Sequence, residues 1–363
     1  METKVEKNQS STRVNIETQT FVCENCGGVL KYDIESAKFR CSSCKAESDI
    51  QTLANTVEEY DFNQYHQREQ SCVPFEGIAV VACHNCGYEI TFDTYQIASV
   101  CPMCNSTQIA EVKQAAGIPP EGIIPFQISK PEATQRFKKW VKSRWFAPGD
   151  FKKKCGIGSL QGLYLPFWTY DAVAFSNYIG RGGKYRTMKD KEGKTYTVTD
   201  WTNVVGAVTK GFDDIQVCAS QKGSEIECIL PFHTTNNSKP FALSYLSGFY
   251  AELYAIRADQ GFESAKKTME QELHALAEQD IRRTYDVADV SSLTTRYCNV
   301  TYKHMLLPVW GSSYGYRGKT FHYYINGETG AVDGQRPYSV PKIIAAVAAA
   351  VAVIILLIVL FGG

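Results

Sequence analysis

The sequence predicts an α+β protein, and three observations carry that prediction. Four Cys-x2-Cys knuckles lie in the first third of the chain. Aromatic, strand-like runs and two helical periodicities fill the middle, and nineteen apolar residues follow near the C-terminal end. The order expected is two N-terminal ribbons, a β-rich α+β central domain and a single C-terminal transmembrane helix. Residues 1–20 are polar without apolar periodicity and are expected to be disordered. Met1 to Asn8 contain no apolar run, so no signal peptide is expected and the thiols should stay reduced.

Cys23-x2-Cys26 and Cys41-x2-Cys44 are separated by fourteen residues, and Cys83-x2-Cys86 and Cys101-x2-Cys104 by the same fourteen. Each set can place four thiolates about one tetrahedral Zn²⁺, with a hairpin carrying the chain between knuckles. The copies also align outside the cysteines: Asn25 with Asn85, Gly27 with Gly87, Leu30 with Ile90, Tyr32 with Phe92 and Asp33 with Asp93. A glycine after the first knuckle suits a turn that needs positive φ. Iron fits the same four sulfurs, and Cys101-Pro-Met-Cys104 looks like a rubredoxin knuckle, but zinc is the default. The expectation is two Zn²⁺ per chain, in ribbons spanning 21–50 and 78–115. The linker between them, 51–77, contains His66 and Cys72, read as structural because both four-cysteine sites are complete without them.

Residues 116–341 are expected to form the central domain, after the turn-rich Gly117-Ile-Pro-Pro-Glu-Gly122. Ser129 and Glu132 make a capping box, and Phe137, Trp140, Val141 and Trp145 recur at helical spacing until Ala147-Pro148-Gly149. Strands are expected over 163–175, 178–186 and 195–208, the last two facing each other across Lys189 to Gly193. Phe262, Ala265, Met269, Leu273, Leu276 and Ile281 mark a second helix over 263–285. Strands follow at 297–309, 313–317 and 320–326, and Asn326 to Gly330 turns into Ala331-Val332-Asp333. Leu165-Pro166-Phe167-Trp168 echoes Leu307-Pro308-Val309-Trp310. Two readings stand: corresponding positions in a duplicated sheet, or prolines at strand starts and edges where no ladder donor is required.

Few residues suggest catalysis, and no enzyme is expected. Ser313 to Thr320 misses the G-x4-G-K-T phosphate loop by its first glycine and runs into a strand where that loop needs a helix. His233 and His304 lie in apolar-proline contexts without a local nucleophile or metal ligand. Thirty-eight basic and thirty-eight acidic residues cancel, so no overall field steers the chain towards nucleic acid. The segment 130–154 is locally basic, with Trp140 and Trp145 interleaved. Lipid headgroups, a partner or plain solvent would each suit it.

Ile343 to Phe361 is nineteen residues without a polar side-chain atom. As a helix it spans ~28 Å, close to the ~30 Å hydrocarbon core of a bilayer. Its thirteen Ile, Val, Leu and Phe residues favour insertion by roughly 5 kcal/mol. Residues 342–363 are therefore read as a tail anchor. Arg336 and Lys342 precede it, which keeps the N-terminal domains in the cytoplasm of a single-pass cell-membrane protein.

These features together, with Leu165-Pro-Phe-Trp-Thr-Tyr170, Thr199-Asp-Trp201, Tyr245-Leu-Ser-Gly-Phe249 and Ile325-Asn-Gly-Glu-Thr-Gly330, resemble a bacterial family of membrane-anchored double-zinc-ribbon proteins. The family is YdjG-like and often labelled as a TFIIB-type zinc ribbon or as related to the primosomal replication helicase. The helicase label has no support here, since a complete Walker A loop is absent. The resemblance implies the eight zinc cysteines, the anchor and no catalytic residue. It also implies an adaptor that works beside phage-shock-protein-A-like (PspA-like) or SPFH-type membrane proteins in envelope stress. The other expectation is a nucleic-acid-binding ribbon protein of replication or transcription. Ribbon two argues against nucleic acid, because no Lys or Arg lies between Cys83 and Cys104.

Overall fold

The computed structural model describes residues 23–50, 56–72, 78–83, 89–93, 109–114, 117–154, 160–220 and 223–361. The expected disordered tail, 1–20, lies outside them. In chain order the elements are β1 (Leu30–Asp33), β2 (Lys38–Cys41), β3 (Glu47–Ser48), β4 (Tyr60–Asp61), α1 (Tyr65–Ser71), β5 (Ile78–Cys83), β6 (Glu89–Asp93), β7 (Ile109–Gln114) and β8 (Gly122–Ile123). Next come α2 (Lys130–Ser143), α3 (Gly149–Lys154), β9 (Gln161–Lys189), β10 (Thr195–Cys218) and two single-turn helices, α4 (Gly223–Ile226) and α5 (Thr234–Asn237). The chain continues through β11 (Lys239–Pro240), β12 (Tyr250–Glu252), α6 (Ala258–Ile281), β13 (Val287–Tyr316), β14 (Lys319–Asn326), β15 (Val332–Gly334) and α7 (Val340–Phe361).

The architecture is α+β, built on one large curled sheet with a long apolar helix at its C-terminal end. A small separate sheet, β1-β2-β3, carries the first cysteine set. The large sheet centres on β9 and β13, antiparallel neighbours in register from Val287↔Gly183 to Gly311↔Gln161. Where breaks were expected near 176 and before 297, the strands run on. Ser176 is buried, but its hydroxyl meets that of its cross-strand partner Thr295 at 2.8 Å, so the polar pair satisfies itself within the ladder.

The two Leu-Pro motifs lie opposite each other in this pairing, with Leu307 against Leu165. Each proline sits where its strand changes its other neighbour. β9 pairs with β12 at Leu163 and Tyr164 and with β10 from Phe167 onward. β13 pairs with β8 at Met305 and Leu306 and with β14 from Val309 onward. A missing N–H is harmless at such a changeover, which is how proline survives in two central strands. The carbonyls match too: Pro166 accepts from Ala219 N at 2.9 Å, and Pro308 from Gly327 N at 2.8 Å.

Along β9 the burial changes character. Gly162 to Tyr170 are buried on both faces, whereas from Ala172 onward alternate residues face α6. On that face Ala172, Ala174 and Tyr178 meet Ala265, Met269, Leu273 and Ala277 of the helix. α6 begins at Ala258, earlier than periodicity predicts, because Gly261 hides the first turn. A Cβ there would lie 2.4 Å from the Tyr170 hydroxyl, which donates to Ala258 O at 2.6 Å. α2 is capped by Ser129, whose hydroxyl accepts from Glu132 N, and buries Ala133, Phe137, Trp140 and Val141. Trp145 is not on that stripe: the helix stops at Ser143 and Trp145 is 74 % exposed.

Residues 56–72, within the stretch read as a linker, join the core. β4 pairs with β13 through Tyr60↔Tyr302 and Asp61↔Thr301. Tyr65 is 1 % exposed among Phe62, Tyr302 and the guanidinium of Arg257. The three strands around the second cysteine set are likewise part of the large sheet: β7 pairs with β5, β5 with β6, and β6 with β12.

Candidate metal centre

The first ribbon folds about its two knuckles. Cys23 N donates to Gly28 O and Gly27 N to Cys23 O, both at 2.8 Å, with Gly27 at φ +70°. The second knuckle repeats this geometry. Lys45 N donates to Cys41 O at 3.1 Å, Cys41 N donates to Ala46 O at 2.9 Å, and Lys45 is left-handed at φ 64°. The β1–β2 hairpin, in register from Leu30↔Cys41 to Asp33↔Lys38, brings the knuckles side by side. A Cβ on Gly28 would stand 2.7 Å from Ser43 Oγ and 3.0 Å from Cys41 Sγ, so a larger residue would press on the second knuckle.

The result is one cluster of Cys23, Cys26, Cys41 and Cys44, with all four sulfurs within 4.8 Å of one another. Cys23 Sγ is 3.5 Å from Cys44 Sγ, and Cys26 Sγ is 3.5 Å from Cys41 Sγ. Thiolates ~2.3 Å from a tetrahedral metal have sulfur–sulfur edges of about 3.8 Å, so the group can hold one metal ion with small adjustments. The proton chemistry agrees. The Cys41 thiol is pushed down to about 6, chiefly by the Cys44 backbone N–H. Cys44 is pushed up to about 12: the Ala46 backbone N–H works against this, and the Cys26 and Cys23 thiols outweigh it. Thiols this close share protons, and all four ionise together only around a cation.

The ribbon is docked on the platform. Tyr32 is buried edge-on to Tyr245, at 5.6 Å between ring centres, and lies 6.5 Å from Phe249. The Ser247 hydroxyl donates to Leu30 O at 2.9 Å. Burial raises the Tyr32 phenol to about 12, helped by the neighbouring Tyr245 and Asp33. Three of the ribbon's four cations have local partners. Lys38 pairs with Asp49 at 3.0 Å, Arg40 with Asp33 at 3.6 Å, and Lys45 Nζ donates to Ser42 O.

Of the second set, Cys83 ends β5 and is buried beside Leu163, Leu165 and Tyr324. Cys86, Cys101 and Cys104 lie outside the described residues. His66 and Cys72 join no ligand cluster among the described residues. The Cys72 thiol donates to Arg68 O, and the His66 ring lies 5.1 Å from Tyr65.

A second group of ligand-type residues escaped the sequence reading. Glu59, Asp171 and Asp214 come within 4.8 Å of one another, from β9, β10 and the segment before β4. Backbone bulges at Phe212/Ile215 and Cys298/Thr301 gather them, and no local spacing announces such a meeting. Lys303 Nζ lies 2.7 Å from both Glu59 and Asp214, and Asp214 N donates to Asp171 at 2.7 Å. Burial raises Asp171 to about 7, against the Asp214 backbone N–H and with the help of Glu59. The Lys303 ammonium thus stands against two of the three carboxylates, and the cluster reads as a partly buried ion network.

His233 and His304 have partners distant in sequence. His304 is buried with Nδ1 2.9 Å from Ile118 O, and burial holds it down at about 4. His233 Nδ1 lies 3.2 Å from buried Glu328, which also accepts from the His233 backbone and from Asn237. Ser313 to Thr320 is a strand–turn–strand in β13 and β14, turning at Arg317 and Gly318 with φ 49° and 75°.

Over 328 residues, 90 % of this chain and 92 % of the relative, the sequence is 28 % identical to the uncharacterized protein YdjG of Bacillus subtilis (strain 168). No protein-family model matches the chain, and no solved structure does. The likeness is to a whole protein of similar length.

Proposed function

We propose that the protein is a membrane-anchored zinc-ribbon adaptor that holds a protein partner at the cytoplasmic face of the cell membrane. The observation that carries this reading is α7, one helix long and apolar enough to cross a bilayer, with none of that stretch buried against the rest of the chain. Twenty-one apolar-rich residues without a protein cover need a hydrocarbon one.

The cysteine cluster supports a structural rather than a catalytic metal, since four thiolates leave a zinc ion no open position. The same reading gives the second set its own Zn²⁺. Gly87 and Asn105 fall four residues after the first cysteine of their knuckles, the offset of Gly27 and Lys45, and both residue types tolerate left-handed backbone. Pairing of Lys38 with Asp49 and of Arg40 with Asp33 leaves the first ribbon fewer unpaired cations for phosphates, which favours a protein partner over nucleic acid. The resemblance to YdjG-like proteins suggests a PspA-like or SPFH-type membrane protein acting in envelope stress.

The test is photo-crosslinking of the full chain in native membranes, wild type against Cys23→Ser/Cys26→Ser. The adaptor reading expects both to resist alkaline carbonate extraction and the variant to lose its crosslinked protein. A wild-type affinity for DNA or RNA tighter than about a micromolar, dependent on the ribbon and falling steeply with salt, would replace it with a nucleic-acid function.

A further inference from the structure

We infer that the end of α2, the 144–148 loop and the base of α7 form one platform that takes anionic phospholipid headgroups in the leaflet α7 enters. The inference rests on α7 crossing a bilayer, as proposed above. Three hydrogen bonds pin the start of that helix to the loop. Ser339 N donates to Phe146 O at 2.8 Å, and Lys342 Nζ donates to Trp145 O at 3.1 Å and to Ala147 O at 2.8 Å. Lys342 is the last charged residue before the apolar run, so the loop is held at the level where hydrocarbon begins.

Three exposed aromatic residues lie at this entry point: Trp145 is 74 % exposed, Tyr338 59 % and Phe146 41 %. Such a cluster is unfavourable in water, whereas the headgroup boundary suits rings with one apolar and one polar end. Cations stand around the aromatics. Lys138 and Lys139 are exposed on α2, and the guanidinium groups of Arg144 and Arg336 lie 5.1 and 5.9 Å from the Trp140 ring centre. The two carboxylates of residues 130–154 do not neutralise them. Glu132 is bound by Arg136 at 2.8 Å, and Asp150 by the Tyr316 hydroxyl at 2.7 Å and Arg317 at 3.3 Å. Positive charge continuous with a membrane-entry helix matches phosphate esters at a bilayer surface.

The experiment uses the full chain reconstituted into vesicles of phosphatidylcholine alone or of equal phosphatidylcholine and phosphatidylglycerol, with shallow-brominated acyl chains as quenchers. Flotation and carbonate resistance report α7. Fluorescence lost by the wild type but not by Trp145→Phe reports the loop. Trp145 should account for most of the bromine-dependent loss, with stronger quenching when phosphatidylglycerol carries the bromine. Lys138→Gln/Lys139→Gln should lower that preference by about tenfold or more, and salt near 1 M should weaken it. If the chain floats but Trp145→Phe is quenched as the wild type is, or quenching ignores phosphatidylglycerol, the platform is refuted and the anchor stands. If the chain does not float, the anchor reading fails and the platform fails with it.

Discussion

Replacing Cys41 with serine tests whether the first ribbon is held by metal and whether it in turn supports the platform. Cys41 is fully buried and contributes one of four clustered sulfurs. A structural zinc site is worth on the order of 10–16 kcal/mol of folding free energy, far more than a three-stranded sheet with Tyr32 and Phe39 as its main buried side chains supplies. The ribbon should therefore unfold as a unit, and the purified protein should carry one metal equivalent less. Tyr32 then leaves Tyr245 and Phe249. Burial of one aromatic side chain and its edge-to-face pairing together contribute about 3 kcal/mol. At 2–4 °C per kcal/mol for a domain of this size, the remaining platform should melt about 6–12 °C lower. Hydrogen exchange on the full chain in detergent should show protection lost over 23–50 and kept in β9 and β13, with the melting shift read by near-ultraviolet circular dichroism. Unchanged metal content would refute the four-thiolate site. An unchanged platform melting temperature would refute the docking through Tyr32.

Three further outcomes follow from the core. Tyr65→Ala should destabilise the large domain by about 3–5 kcal/mol in denaturant titration, the range for emptying a fully buried aromatic site; a cost below about 1 kcal/mol would return residues 56–72 to the status of a linker. His304 is neutral in the folded chain, with its pKa held at about 4 by burial against an ordinary 6.5. The stability from that difference is complete above about 6.5 and lost as pH falls through about 4, amounting to about 3 kcal/mol; His304→Gln should flatten that acid limb in pH-dependent unfolding, and an identical slope would exclude it. Gly182→Ala should cost about 1–3 kcal/mol, because the new Cβ would lie 2.2 Å from the Tyr285 ring; a neutral result in thermal unfolding would show that the ring moves aside freely.

What was legible in the sequence was what repeats locally. The knuckle spacing brought Cys23, Cys26, Cys41 and Cys44 together as expected, because ribbon hairpins join ligands close in sequence. The capped start of α2, the α6 stripe and the Asp190–Lys194 turn came from periodicity and turn chemistry that neighbouring residues decide. Strand lengths did not, because Ser176 and Thr295 look like a break until they face each other. Nor was the Glu59–Asp171–Asp214–Lys303 network visible, since its members are joined only by bulges and by pairing across the sheet. The core position of Tyr65 was hidden for the same reason: its neighbours in sequence are polar, and Tyr302 and Arg257, which help to bury it, lie far along the chain.

The pairing of β9 with β13 also sets a timetable for synthesis. β9 is complete at Lys189 and its central partner only at Tyr316, a gap the ribosome crosses in roughly 6–25 s at 5–20 residues per second. During that interval β10 covers one edge of β9 while the other waits with its backbone donors and acceptors unpaired. Little chain separates the end of β13 from Val340, so the sheet closes as the most apolar segment of the protein is being made. The nascent chain thus presents two insoluble tasks together, and a slowing of translation ahead of β13 should raise the yield of aggregate more than one placed after it.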